Sequence, residues 1–274
     1  MNIDNKVVED FGSEWSRFNQ GNLSESDHLE MFESYFDIFP WGELSLNAVG
    51  ADVGCGSGRW AIQVALRVGH LHLVDPSRAA LQVAQKNLLS CNNITFHLSS
   101  VDSLPFEDAS LDFAYALGVL HHVPDTAAAI KSIAKALRPG APFLIYLYYA
   151  FDQRPLWFRT LWGVSNLFRK FISVLPSKLK NICCDIIALT IYLPFARIAR
   201  ILDHLGCMPK SWPLSYYRNR DFYVLRTDAL DRFGTRLEQR FTRSEVLRML
   251  NEAGFKGVKF SDHQPYWCAI CFKK

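Results

Sequence analysis

Between residues 47 and 149 short apolar runs alternate with stretches whose apolar residues recur at helical spacing, and the alternation predicts strands and helices in turn. Ala48–Val53 is an apolar run that ends in a glycine cluster, and a helix follows from Arg59 with Trp60, Ile62, Ala65, Leu66 and Val68 on one side. Leu71–Val74 is the second strand. It ends in Asp75-Pro76-Ser77, where the serine caps a helix reaching about Leu89. Ile94–Leu98, Leu111–Leu117 and Ala141–Tyr149 read as the third, fourth and fifth strands, and a helix from Asp125 to the stop at Arg138-Pro139-Gly140 lies between the last two. Apolar strands alternating with helices imply a parallel sheet covered on both faces.

After Tyr149 the period changes. Trp157, Leu161, Val164, Phe168, Phe171 and Leu175 recur every three or four residues between Pro155 and Pro176, which predicts an amphipathic helix. A second helix carries Leu179, Ile182, Ile186, Thr190 and Leu193, and a third runs from Phe195 to Leu205. Sheet-like patterning returns with a capping box at Thr242-Arg243-Ser244-Glu245, a helix stopping at Gly254, and two closely joined strands, Val258–Phe260 and Tyr266–Phe272, which predict an antiparallel hairpin. The organisation expected is an N-terminal helical lid over residues 1–46, a ligand-binding core over 47–149, a helical insertion capping the acceptor over 150–228, and a helix with strands completing the sheet over 229–274.

Composition narrows the class. The chain has 274 residues, 49% of them apolar and 14% aromatic, ample for a core and too apolar for a disordered chain. The apolar runs closest to spanning length, Ala141–Phe151 and Ile182–Ala196, fall short of about 18–20 residues, and Asp185 and Pro194 interrupt the second. The start, Met1-Asn2-Ile3-Asp4, lacks the features of a secretory signal, and seven cysteines suit a reduced, cytoplasmic setting. Neither spanning nor secretion is therefore expected. Charge is uneven: residues 1–50 carry two basic against ten acidic side chains, and residues 151–220 carry eleven basic against three acidic ones. That asymmetry implies either one face that meets an acidic partner or ordinary solvated helix faces.

The segment Asp52-Val53-Gly54-Cys55-Gly56-Ser57-Gly58 joins the first strand to the first helix. Its glycines permit a tight turn and let a ligand approach where a Cβ would block it, at the carboxyl end of the sheet where such folds hold ligands. Asp75, ending the second strand, is placed to accept both hydroxyls of a ribose. A nicotinamide dinucleotide fits less well. The glycines follow G-x-G-x-G, and the Asp52 carboxylate would repel a pyrophosphate while attracting a free amino group.

These residues, with Ser100 to Phe106 and Leu117 to Asp125, resemble the successive motifs of class I S-adenosylmethionine-dependent methyltransferases, broadly the subgroup that includes the quinone C-methyltransferases. The resemblance implies an α/β, Rossmann-like seven-stranded sheet of order 3-2-1-4-5-7-6 with strand 7 antiparallel. It implies that the backbone of Gly54, Cys55, Gly56 and Gly58 holds the methionine part of S-adenosylmethionine and Asp52 its amino group. Asp75 with Pro76 would take the ribose, Val101 the adenine edge, and Leu117 and Gly118 the methyl-bearing end. Relatives place an acid before the Leu-Pro-Phe element that contacts the adenine amino group. Here Ser99-Ser100-Val101 stands there, and Asp102, two positions on, or a backbone group would make that contact.

Candidates for the acceptor side lie in the loop after the fourth strand and in the segments flanking the core. His121 and His122 end the loop after the fourth strand, and His122 is either a general base or an orienting group, with loop capping as the plain alternative. Ser215 to Tyr223 interleaves aromatic and basic groups. Tyr216, Tyr217 and Arg218 could cover an acceptor there, or form a packed connector. Phe11 to Phe18 resembles the lid of this family, with Trp15 excluding water from the cofactor. Cys55 reads as a small packing residue. No metal ligands are expected, although a thiol set taking a soft metalloid is a rival, as are a peripheral membrane enzyme acting on a lipid or quinone and a non-catalytic module. The partners expected are a small-molecule acceptor and no nucleic acid, while the basic, apolar insertion either packs its aromatics helix on helix, roofs an apolar acceptor or makes peripheral membrane contact.

Overall fold

A computed structural model describes residues 2–18, 25–151, 155–209, 212–263, 265 and 267–274. Seven strands form one sheet in the order β3-β2-β1-β4-β5-β7-β6. They are β1 (Val49–Val53), β2 (His70–Asp75), β3 (Ile94–Leu98), β4 (Phe113–Leu117), β5 (Pro142–Tyr146), β6 (Phe255–Phe260) and β7 (Cys268–Lys273). β3, β2, β1, β4 and β5 pair in parallel, and β7 runs antiparallel between β5 and β6. This is the strand order, with strand 7 antiparallel, that the resemblance implied. Tyr266, where the last strand was expected to start, lies outside the described residues.

The helices are α1 (Asn5–Arg17), α2 (Glu25–Phe36), α3 (Ala61–Ala65), α4 (Arg78–Asn87), α5 (Thr126–Ala136), α6 (Leu156–Ile172), α7 (Ser177–Ile187), α8 (Leu193–His204), α9 (Phe222–Gly234) and α10 (Arg243–Glu252). Their starts follow side-chain chemistry. Ser77 accepts from the Ala80 N–H and Asp125 from the Ala128 N–H, and the box between Thr242 and Glu245 is complete.

Alternation along the strands sorts the side chains into two layers. Ala51, Val53, Ala114, Ala116, Phe143 and Ile145 meet α5 and α10 in one core. The intervening residues Asp52 and Tyr115 point the other way, where Phe36 of α2 packs against Tyr115 with ring centroids 5.3 Å apart. The chain forms two compact units: residues 1–20, 28–153 and 237–274 in one, and residues 21–27 and 154–236 in the other. In the sheet unit the departing and returning segments are tied together, since Phe241 N–H donates to the Tyr148 carbonyl and Ala150 N–H to the Phe241 carbonyl, each at 2.9 Å.

The helical unit departs from expectation in α9, which was read as an acceptor cover or a connector, and in its long helix. The second and third helices expected there are one continuous helix, Ser177–His204, 28 residues long and apolar enough by length and composition to cross a membrane. Pro194 was expected to break it. A proline lacks the N–H that would reach back one turn, and here the π-helical turn Ala188–Tyr192 absorbs the mismatch, leaving Pro194 in the first turn of α8. Asp185, the other interruption, is paired in bidentate fashion with Arg226 at 3.0 Å.

Candidate active site

The glycine segment closes over the tips of β1 and β2. Gly54 and Cys55 donate their N–H groups to the Val74 carbonyl at 2.7 and 3.1 Å, and the Asn87 side chain donates to the Ser57 carbonyl at 2.9 Å. Gly54, Gly56 and Gly58 all have positive φ, at 80°, 53° and 74°. A Cβ on Gly54 would sit 2.3 Å from Val119, and one on Gly56 would sit 2.9 Å from the Trp15 ring. A Cβ on Gly58 would sit 2.7 Å from Leu88, so all three positions need glycine for space as well as for conformation.

Asp75 is buried and serves the loop, accepting the Gly56 N–H at 2.9 Å and the Ser77 N–H at 2.8 Å. Burial pushes its carboxyl up to about 6, against those two donors. Asp52 is more enclosed. Its Oδ2 is buried without a hydrogen-bond partner among the described residues. Burial pushes its carboxyl up to about 8, the Tyr115 phenol beside it favours the charged form, and Asp75 adds repulsion. The Cys55 thiol is pushed well up by burial and then by the two acids, so it packs as a neutral side chain.

Helix α1 supplies a roof. It packs on α4, its Trp15 lies against Gly56, and the Phe11 ring stands 4.8 Å from that of His122. Leu117 is buried at the end of β4, and Gly118 follows with φ 77°. Val101 is buried in the core. Asp102 is exposed, accepting the Asn2 N–H at 3.0 Å and the Ser100 hydroxyl, which holds its carboxyl below the ordinary range. It stands apart from the buried pair of acids. Pro76 lines a separate cleft of about 360 Å³ with Gly12, Ser13 and Arg78.

Both histidines are buried. His122 Nδ1 lies 2.7 Å from the Leu237 carbonyl, so Nδ1 carries the proton there and Nε2 is the basic nitrogen of the neutral ring. His121 stacks on Tyr148 with centroids 3.8 Å apart, and both of its ring nitrogens lack hydrogen-bond partners among the described residues. Burial, then His122 and Arg240, hold it neutral, well below the usual histidine range. Arg240, which no sequence pattern singles out, lies over the rings of Tyr148 and Phe151 at 4.9 and 4.7 Å. Tyr115 reads in sequence as ordinary strand core.

Tyr216, Tyr217 and Arg218 belong to the helical unit, and each has partners within it. Arg218 pairs with Asp203 at 2.9 Å, and the Tyr216 and Tyr217 rings stand edge-on at 5.2 Å. Burial and then Asp228 raise the Tyr217 phenol well above its ordinary value.

Residues 51–140 match the family model of a methyltransferase domain. That segment is a methyltransferase domain. The chain is 35% identical over 98 residues to an O-methyltransferase of Aspergillus sclerotiorum, covering 34% of this chain and 37% of that protein. It is 34% identical over 130 residues to the demethylmenaquinone methyltransferase of Staphylococcus aureus, covering 43% and 54%. Phosphoethanolamine N-methyltransferase 2 of Caenorhabditis elegans matches at 34% over 125 residues, covering 44% and 27%. The matches thus span between about a quarter and a half of these relatives. Two solved structures share the fold. Magnesium protoporphyrin IX methyltransferase from Synechocystis has a TM-score of 0.55 at 16% identity, covering 99% of this chain and 100% of that one. A methyltransferase from Methanosarcina mazei has 0.51 at 18%, covering 86% and 98%.

The residues of the methyltransferase domain fit S-adenosylmethionine. The orphaned Asp52 oxygen suits its ammonium, the positive-φ glycines leave backbone open beside the methionine chain, and Asp75 stands at the neighbouring strand tip for the ribose.

Proposed function

We propose that this chain is an enzyme transferring the sulfonium methyl of S-adenosylmethionine to a small or amphipathic acceptor. The observation that carries the reading is Asp52: an enclosed carboxyl whose Oδ2 lacks a partner among the described residues, next to three positive-φ glycines and inside a methyltransferase domain. S-adenosylmethionine supplies an electrophilic methyl when bound. In-line transfer then depends chiefly on alignment and dryness. Asp52, the glycine backbone and Asp75 would hold and orient the cofactor, and Phe11 and Trp15 of α1 would exclude water. His122 is assigned to the acceptor, as the base at Nε2 or as the group that orients it, because the Leu237 carbonyl fixes its tautomer. His121, neutral and stacked on Tyr148, is a positioning residue for His122. All seven cysteines are free, in keeping with a reducing, cytoplasmic setting, which belongs to the proposal.

A second reading, with a quinone-like or lipid acceptor, is supported by the Staphylococcus aureus relative and by the exposed apolar side chains of residues 154–236. The test of the main reading is calorimetric titration with S-adenosylhomocysteine. Asp75→Ala should weaken binding by about 1–3 kcal/mol through loss of a charge-assisted contact. Unchanged affinity would remove Asp75 from the site, and no binding by the unmodified protein would end the proposal. The acceptor would follow from labelled cofactor incubated with a cell extract.

A further inference from the structure

Helices that pack in water bury their large apolar residues and turn charge outward. Alongside buried Val224, Leu225 and Phe233, two helices of the helical unit carry rows that depart from this rule. Along Ser177–His204 the row facing the protein is Lys180, Cys184, Ala188, Tyr192, Ala196 and Ala199. The outward row holds Ile182, Ile186, Leu189, Phe195, Ile198 and Ile201, with Ile186 54% exposed. Helix α6 repeats the inversion. Arg169 is only 5% exposed and donates to the Thr235 and Arg236 carbonyls at 2.8 and 3.2 Å, while its neighbours Phe168 and Phe171 are 61% and 67% exposed. Scattered apolar residues on a surface are ordinary, but continuous rows on two helices are not. An interior that takes arginine and lysine under an exterior of isoleucine and phenylalanine is the pattern hydrocarbon selects. Basic side chains flank these rows, with Arg159, Lys170, Lys178 and Arg200 all exposed.

We propose that this face of the helical unit docks on an anionic phospholipid bilayer. The two helices lie in the membrane plane, with the apolar rows at the acyl boundary and the lysines and arginines on the headgroup phosphates. Lying flat follows from packing: α9 contacts α6, α7 and the π-helical turn, so protein occupies one flank of the long helix, and the Asp185–Arg226 pair is on it. Charge complementarity selects the occupant, since the exposed side chains bordering the apolar rows are the basic Arg159, Lys170, Lys178 and Arg200. The inference stands on the helical unit and is independent of the proposed reaction.

The test is co-sedimentation of the whole protein with vesicles of phosphatidylcholine plus phosphatidylglycerol, compared with phosphatidylcholine alone. Partitioning should be about tenfold stronger on the anionic vesicles and should fall severalfold at high salt. The triple variant Phe168→Glu, Phe171→Glu, Ile186→Glu should lose about tenfold or more while keeping its circular dichroism and its affinity for S-adenosylhomocysteine, because all three side chains already face outward. Lys170→Glu with Lys178→Glu, a milder change, should remove the preference for anionic vesicles. Equal sedimentation with and without vesicles, or binding unaffected by both variants, would overturn the proposal. So would a dimer in light scattering that the triple variant dissolves in the absence of vesicle binding, since a second copy would then cover the face.

Discussion

Substituting Asp52 by asparagine keeps the shape of the side chain and removes its charge, so it isolates what an enclosed carboxylate does. With its carboxyl pushed up to about 8, Asp52 holds a proton at neutral pH until a cation arrives. Binding a ligand with an ammonium must then release that proton. From pH 6.5 to 7.5 the ionised fraction of such a group rises from about 3% to about 24%, roughly eightfold. The ligand's ammonium, held charged by the carboxylate on the same carbon, does not titrate over this window, so nearly all of that change, about sevenfold, appears as a gain in affinity for S-adenosylhomocysteine. Asp75, pushed to about 6, is largely ionised across this range and adds little. Titration calorimetry at several pH values should show that gain, with a binding enthalpy that depends on the buffer. Asp52→Asn should bind more weakly and give a flat profile, as should the unmodified protein with methylthioadenosine, which lacks the amino acid. A flat profile for the unmodified protein with S-adenosylhomocysteine would refute the reasoning.

The same carboxyl bears on stability. A folded pKa above the unfolded value of 3.8 means the folded chain keeps a proton that the unfolded chain releases, so stability falls as pH rises from about 4 to about 8. Asp52→Asn should therefore melt above the unmodified protein at pH 7.5, with the difference closing toward pH 5 in differential scanning calorimetry. Gly54→Ala places a Cβ 2.3 Å from Val119 at φ 80°, and should cost at least about 2 kcal/mol in denaturant titration, part of it recovered by adding Val119→Ala. Arg169→Met leaves the Thr235 and Arg236 carbonyls without their charged donor and should cost about 2–4 kcal/mol. Faster amide exchange in α6 and α9 would report that loss, and unchanged exchange would show that other donors replace Arg169.

The strands were legible because each carries its own local signal, an apolar run followed by Gly, Asp-Pro or Pro-Gly punctuation, whereas their order came only from the family resemblance of the motifs. Helix caps at Ser77, Asp125 and Thr242 were equally local. The continuity of the long helix was not. A proline reads as a break unless one knows that the preceding turn is π-helical, and that depends on packing against α9. The Asp52–Asp75 pair was legible from residue type at strand ends, whereas the outward turn of Asp102 was not, since its direction is set by a short 3₁₀ turn and by Asn2, a hundred residues away. Arg240 escaped notice because the stretch from Leu237 to Phe241 has no periodicity, and its meaning comes only from the rings it covers.

The hydrogen bonds joining Tyr148 and Ala150 to Phe241 form a two-stranded neck where the chain leaves the sheet unit and comes back. Residues 154–236 can therefore be exchanged for a short linker or a different module without asking any sheet strand to find a new neighbour. Descent could vary what is attached at the neck while leaving the sheet alone, and a trimmed protein closed there should still fold and still recognise its nucleoside.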